Sequence, residues 1–144
     1  MKLKSFLFIS VISLLLSACS ATGPKFSPVQ IQSQDKSLLY VYRNDLFCLG
    51  GRSPDIHVDN KKIDALSNNG YISVDISPGP HFIEAKGLFD LPSTSIKIEA
   101  EPMKSYYVKW IPECNFLSWH LKLIEMPEGS ALDDIKNSRA IKSN

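Results

Sequence analysis

The sequence predicts a mainly β fold: a small antiparallel β-sandwich of about seven to eight strands with a short C-terminal helix. Three observations lead there. Apolar residues recur with period two in short runs, the mark of strands with one face on a core. Turn-forming residues separate those runs at close intervals. The clearest pair of runs, Tyr71–Lys86, flanks Ser77-Pro78-Gly79-Pro80. There Pro78 presets φ, and Gly79 supplies the positive φ that a type II turn needs next. Ile72, Val74 and Ile76 alternate with Tyr71, Ser73 and Asp75, and His81–Lys86 is expected to return as the second strand of a hairpin.

The other elements follow in order. Leu38–Arg43 is apolar on both faces until Arg43, which suits a strand covered on both sides. Asn44–Pro54, with Cys48, Gly50 and Gly51, reads as a loop. Asp55–Asp59 and Lys62–Leu66 alternate around a tight turn in which Asn60 tolerates left-handed geometry. Gly87–Ser93 is a loop; Thr94–Ala100 and Ser105–Ile111 are strands. Pro112–Ser118, carrying Cys114, reads as a loop before the alternating Trp119, Leu121 and Leu123. Ser130–Ala140 starts like a capped helix with an acidic first turn, and its thin stripe of Leu132 and Ile135 predicts a short, weakly held one.

The N-terminus reads as an address. Lys2 and Lys4 precede the apolar run Phe6–Leu16, which is too short to span a bilayer, and small residues follow, the pattern of an export signal. Leu16-Ser17-Ala18-Cys19 resembles the lipobox of bacterial lipoproteins. That resemblance implies diacylglycerol on the Cys19 thiol, cleavage before Cys19, and, with Ser20 rather than Asp next, an outer-membrane destination facing the periplasm. The expected division is therefore 1–18 signal peptide, 19–36 lipidated N-terminus and flexible tether, and 37–144 β-sandwich. The Gly, Pro, Ser and Gln content of Ala21–Lys36 suggests a tether that contributes nothing to the core and holds the domain off the lipid.

Composition bounds the function. The chain has 144 residues, 44% hydrophobic and 22% charged, an ordinary balance for one globular domain. Of 16 basic residues, two lie in the signal segment, leaving 14 against 15 acidic ones. With no basic stripe, nucleic acid is not an expected partner. There is no G-x-S-x-G, no H-E-x-x-H and no glycine-rich phosphate loop.

The motifs Leu39-Tyr40-Val41-Tyr42-Arg43, His57-Val58-Asp59-Asn60-Lys61-Lys62, Gly70-Tyr71, Pro78-Gly79-Pro80-His81 and Tyr106-Tyr107-Val108 stand in a telling order. Together they resemble an uncharacterised family of bacterial lipoproteins, a domain of unknown function similar to PEGA-type β-sandwich domains. The likeness runs from about Lys36 to Arg139. It implies a small β-sandwich and brings no catalytic residue and no cofactor. Asn60 departs from it, standing where such hairpins often carry Gly.

Two residue sets are candidates for chemistry. If consecutive strands alternate in direction, the loops carrying Cys48 and Cys114 lie at one end of the sandwich, and an oxidising compartment favours a disulfide between them. It would close a loop of about 66 residues, worth roughly 4 kcal/mol in the chain-entropy model. The alternative is a tetrahedral zinc set of Cys48, Cys114, His57 and His120, whose spacings match no standard pattern. His81 reads as a partly buried structural residue at the opposite end. Tyr40, Tyr42, Tyr106, Tyr107, Trp110 and Trp119 are core residues unless a sheet face leaves them exposed, where they would form a glycan or protein contact surface. The expected function is a lipid-anchored, non-enzymatic structural or binding module with a membrane contact and an unidentified envelope protein or glycan partner. The alternatives are an envelope hydrolase with scattered acids and His, and a metal-binding sensor.

Overall fold

The strand Ser37–Tyr42 (β1) is buried along its whole length. As alternation requires, Leu39 and Val41 point to one side and Leu38, Tyr40 and Tyr42 to the other. The computed structural model describes residues 20–87, 92–115 and 118–141. The further strands are β2 (Asp55–Val58), β3 (Lys61–Ala65), β4 (Gly70–Ile76), β5 (Gly79–Lys86), β6 (Thr94–Ala100), β7 (Ser105–Cys114), β8 (Trp119–Glu125) and β9 (Arg139–Ala140). One helix, α1 (Glu128–Ile135), precedes β9. No helix among the described residues is long and apolar enough to cross a membrane.

The strands form two sheets, ordered β8-β7-β1-β4-β9 and β3-β2-β5-β6. The expected β-sandwich is thus present, with one correction: it is not antiparallel throughout. β1 runs parallel to β7, and β9 parallel to β4. Between the sheets lies the main core, built on Leu39, Val41, Ile56, Leu66, Ile83, Val108 and Trp110.

The Pro-Gly-Pro turn is not a hairpin turn. β4 pairs with β1 and β9, whereas β5 pairs with β2 and β6, so the chain crosses from one sheet to the other between Ile76 and Gly79. Pro78 and Pro80 have no N–H to give to a ladder beside the turn, and each flanking strand finds partners elsewhere. Gly79 does take positive φ, +118°, as expected. The β2–β3 turn also behaves as read: Asp59 and Asn60 have φ of +50° and +67°, the pair of positive values that matches strand twist in a tight hairpin.

Two boundaries differ. β7 continues through Pro112 to Cys114, where the sequence reads as a loop. Beyond Lys109 it has left the end of β1 and is paired on one side only, with β8, which tolerates a proline. The helix begins at Glu128 after Pro127 with no side-chain cap, and it buries Ala131 and Ile135 rather than Leu132 and Ile135.

The expected free tether over 19–36 is overturned for its described part. Ala21 N–H donates to the Asn68 carbonyl (3.0 Å), Gly23 N–H to Ala140 (3.1 Å) and Phe26 N–H to Ser138 (2.9 Å). The Phe26 ring meets Tyr40 and Tyr71 edge-on, each at 5.3 Å. With Tyr107, stacked on Tyr40 at 5.1 Å, and the buried face of α1, these residues make a second apolar cluster on the outer face of the β1 sheet. A polar composition hides this role, because Phe26, Ile31 and a few backbone bonds suffice to dock the segment beside α1.

At the far end from the Asn44–Pro54 loop, His81 is 7% exposed and has both ring nitrogens engaged. Nδ1 lies 2.6 Å from Asp59 Oδ2 and Nε2 lies 2.7 Å from the Ser77 carbonyl. A carbonyl only accepts, so Nε2 carries a proton. The ionised carboxylate also accepts, so Nδ1 carries one too, and the ring is an imidazolium. Burial acts to lower the His81 pKa, but the hydrogen bonds to Asp59 and Ser77 and the charges of Asp59 and Glu99 together raise it. Asp59 is held below its usual value, first by the Phe82 backbone N–H and further by His81, against a smaller opposing effect of burial.

This end of the molecule can be tested in two ways. A Cβ at Gly79 meets nothing within 4 Å, so Gly79→Val should cost only the strain of positive φ, about 1–3 kcal/mol. Chemical denaturation reads it, and parental stability would contradict the assigned backbone. The second test is a pH dependence. A raised His pKa contributes stability that is complete below about 6.5 and is lost as pH rises through the folded value. A urea-midpoint series should therefore fall on the alkaline side, and His81→Gln should flatten that slope. On the acid side the depressed Asp59 loses its contribution as pH drops below its usual carboxylate range.

Candidate functional site

The chemistry-bearing residues gather where β1 ends, β4 begins and β7 ends. Arg43 follows β1 and is fully buried. Its backbone N–H donates to the Gly70 carbonyl (3.0 Å), which continues the β1–β4 ladder. The guanidinium lies over the Trp110 ring at 4.6 Å; Nη1 donates to the Arg52 carbonyl (2.7 Å) and Nη2 to the Leu49 carbonyl (3.2 Å). Burial pushes its pKa down to about 10, partly opposed by the charge of Asp45, so it stays protonated at neutral pH. A desolvated cation over an indole contributes about 2 kcal/mol. Arg43 thus acts as an internal peg that holds the loop after β1 against the core.

Asn68 ties the same loop from the other side. Its Oδ1 accepts from the Leu46 N–H (3.2 Å), its Nδ2 donates to Asp45 Oδ1 (2.6 Å), and its carbonyl accepts from Ala21. Ser20 forms an isolated bridge to it. The segment that begins at Ser20 therefore meets the fold at this end.

Cys48 and Cys114 are bonded, with Cα atoms 6.2 Å apart. The parallel placement of β1 beside β7 brings the loop after β1 and the end of β7 to one end of the sandwich. Cys114 is the last residue of β7, not a loop residue, and sits opposite Trp119 in the register with β8. The bond fastens the loop after β1 to the β7–β8 strand pair. Two aromatic side chains flank it in solvent: Phe47, fully exposed, and Trp119, 44% exposed.

The zinc alternative is not assembled. The disulfide consumes both thiols. His57 sits on β2 in the opposite sheet, between Lys62 and Glu84, and His120 on β8 faces Glu113 of β7. Among the described residues no group of three or more His, Cys, Asp or Glu is placed to hold a metal. Tyr40, Tyr42, Tyr107 and Trp110 are buried, so the outer face of the β1 sheet is not an aromatic contact surface. Cys19 lies outside the described residues.

The carboxylates mostly have partners. Asp55 pairs with Lys62 (2.8 Å), Glu84 with Lys86 (3.4 Å), and Asp134 with Lys109 (2.6 Å). Tyr42 also donates to Asp134 (3.3 Å), so this group straps α1 to β1 and β7. A cleft of about 280 Å³ opens between β3 and β4, lined by Ile63, Asp64, Tyr71, Ile72, Ser73, Ala140 and Ile141. It contains one carboxylate and no His.

Sequence reasoning misses Arg43, Phe47 and Asn68. Arg43 is legible only as the polar stop of an apolar run, and Asn68 only as a turn former. The available signal is an Arg directly after a fully apolar strand, with a Trp elsewhere to stack on.

The disulfide has a direct test. In a chain carrying Cys19→Ala, denatured unreduced protein should show no reactive thiol. Cys48→Ser and Cys114→Ser should each lower stability by about 2–4 kcal/mol, and the double variant should cost no more than either, since both break one bond. Two titratable thiols in the unreduced protein would contradict the bond.

No curated protein and no solved structure matches the chain. A family model described as "Protein of unknown function (DUF2846)" matches residues 33–115, more than half of the 144-residue chain. That span runs from just before β1 to just after Cys114 and so takes in the Arg43 peg and both halves of the disulfide. The chain belongs to the DUF2846 family.

Proposed function

We propose that the protein is a lipid-anchored module of the bacterial cell envelope, attached through Cys19 and acting by structure or binding rather than by catalysis. The observation that carries this reading is the Cys48–Cys114 disulfide, a bond that persists in oxidising compartments and not in the cytosol. Ahead of it stand Lys2, Lys4, the apolar run Phe6–Leu16 and the lipobox-like Leu16-Ser17-Ala18-Cys19. The outer membrane, on the periplasmic side, is the proposed location, by the likeness of Ser20 to the position that sorts such proteins. The PEGA-like character of the sandwich belongs to the same proposal and suits a domain that presents a surface. Catalysis has less to draw on, since His81 has both nitrogens engaged in the fold.

Cys19→Ala tests the anchor, because the thiol is the proposed attachment point. The variant should lose metabolic lipid labelling and keep its N-terminal peptide uncut. Unchanged labelling and normal cleavage would overturn the lipid-anchor reading.

A further inference from the structure

We infer that the end of the sandwich bearing Phe47, the Cys48–Cys114 bond and Trp119 seats directly in the headgroup layer of the membrane that holds the chain. The inference rests on the lipid-anchor reading above and adds where the domain sits and which residues touch lipid.

The first observation is the lack of slack. Ser20 already bridges to Asn68, and Ala21 hydrogen-bonds to the Asn68 carbonyl at 3.0 Å. Consecutive Cα atoms are about 3.8 Å apart. The lipidated residue is therefore a single peptide step from the folded domain. The interfacial layer on each side of the hydrocarbon is about 5–8 Å deep. Acyl chains rooted at Cys19 leave the end of the domain that holds Asn68 no room to stand clear of that layer.

The second observation is what that end presents. Asn68 is bonded through both side-chain atoms to Asp45 and Leu46. The next residue, Phe47, is fully solvent-exposed, an unusual place for such a side chain. Cys48 links it to Cys114, and opposite Cys114 stands the exposed Trp119. Aromatic rings with one apolar and one wet side favour the membrane interface. The frame behind them is rigid: the disulfide, the Arg43 peg on Trp110 and the Asn68 tie all hold the same loop. The opposite end differs, carrying the Lys104–Glu101 ion pair (2.8 Å) and the His81–Asp59 pair. Lipid is thus the occupant that chain connectivity brings to the Phe47 end.

The test uses full-length lipidated protein in phosphatidylethanolamine–phosphatidylglycerol vesicles with brominated acyl chains, which quench tryptophan on contact. Trp110 is 1% exposed and should stay bright. Trp119 should be quenched, so the parent loses emission and Trp119→Phe does not. Adding Phe47→Trp to Trp119→Phe should restore the loss. Mass measurement of the N-terminal peptide, run in parallel, reports acylation of Cys19. Acylated protein with no quenching at either position overturns the seating while the anchor stands, and assigns this end to a protein partner or a second copy. An unmodified Cys19 overturns the anchor and the seating with it. Quenching that persists in Trp119→Phe reports Trp110 and also overturns the proposal.

Discussion

The structure depends on burying β1 from both sides. A strand whose inward residues are Leu39 and Val41 and whose outward residues are Leu38, Tyr40 and Tyr42 has no solvent face to spare. Two sheets alone cover one side. The other side needs a further layer, which is supplied by the segment after Ser20 and by α1, brought in from opposite ends of the described chain. Phe26 closes edge-on against Tyr40 and Tyr71, while Tyr40 stacks on Tyr107. Aromatic pairs of this kind contribute about 0.5–1.5 kcal/mol each beyond the area they bury. A helix of eight residues is too short to be stable alone, so it is held by Ala131, Ile135 and the Asp134 contacts to Tyr42 and Lys109.

Where β1 runs out, the same burial creates a problem that Arg43 resolves. The next residue is a cation with no route to solvent. Its guanidinium finds two carbonyls and an indole face rather than a carboxylate. Removing such a group takes away the donors that the Arg52 and Leu49 carbonyls share with it, which is why a buried Arg constrains the loop around it more than an apolar residue of similar size. The loop's shape then follows, with Leu49 in positive φ (+54°) and Phe47 turned outward.

Much of this is legible in the residues, and the failures have identifiable physics. Alternation marks a strand and its buried face, which is why Tyr71–Ile76 and His81–Lys86 stand out; it does not say which sheet the next strand joins. The Pro-Gly-Pro crossing therefore looks like a hairpin from sequence. Positive φ at Gly79 and at Asn60 is legible because few residues accept it. The Cys48–Cys114 pairing follows in sequence from alternating strand directions, whereas the structure brings the cysteines together through a parallel β1–β7 neighbour pair. Two strands with the same direction share an end whichever strands lie between them in the sheet, so alternation alone suffices for the pairing. The segment after Ser20 misleads because its polar composition says nothing of where individual groups go, and docking here uses backbone hydrogen bonds with Phe26 and Ile31.

The two ends of the sandwich are electrostatically independent. β4 spans seven residues, about 23 Å at the usual rise per residue, and separates Asn68 from Ser77 and His81. A Debye length at physiological salt is about 8 Å. If the Phe47 end rests on anionic lipid, the surface potential decays almost completely before it reaches His81. The imidazolium then follows the bulk pH of the compartment and not the more acidic layer at the membrane. The buried charge at the near end, Arg43, is closer to the surface but does not titrate near neutrality. Seating on lipid and the pH response of the far turn are thus separable properties of one rigid body, set at opposite ends of β1 and β4.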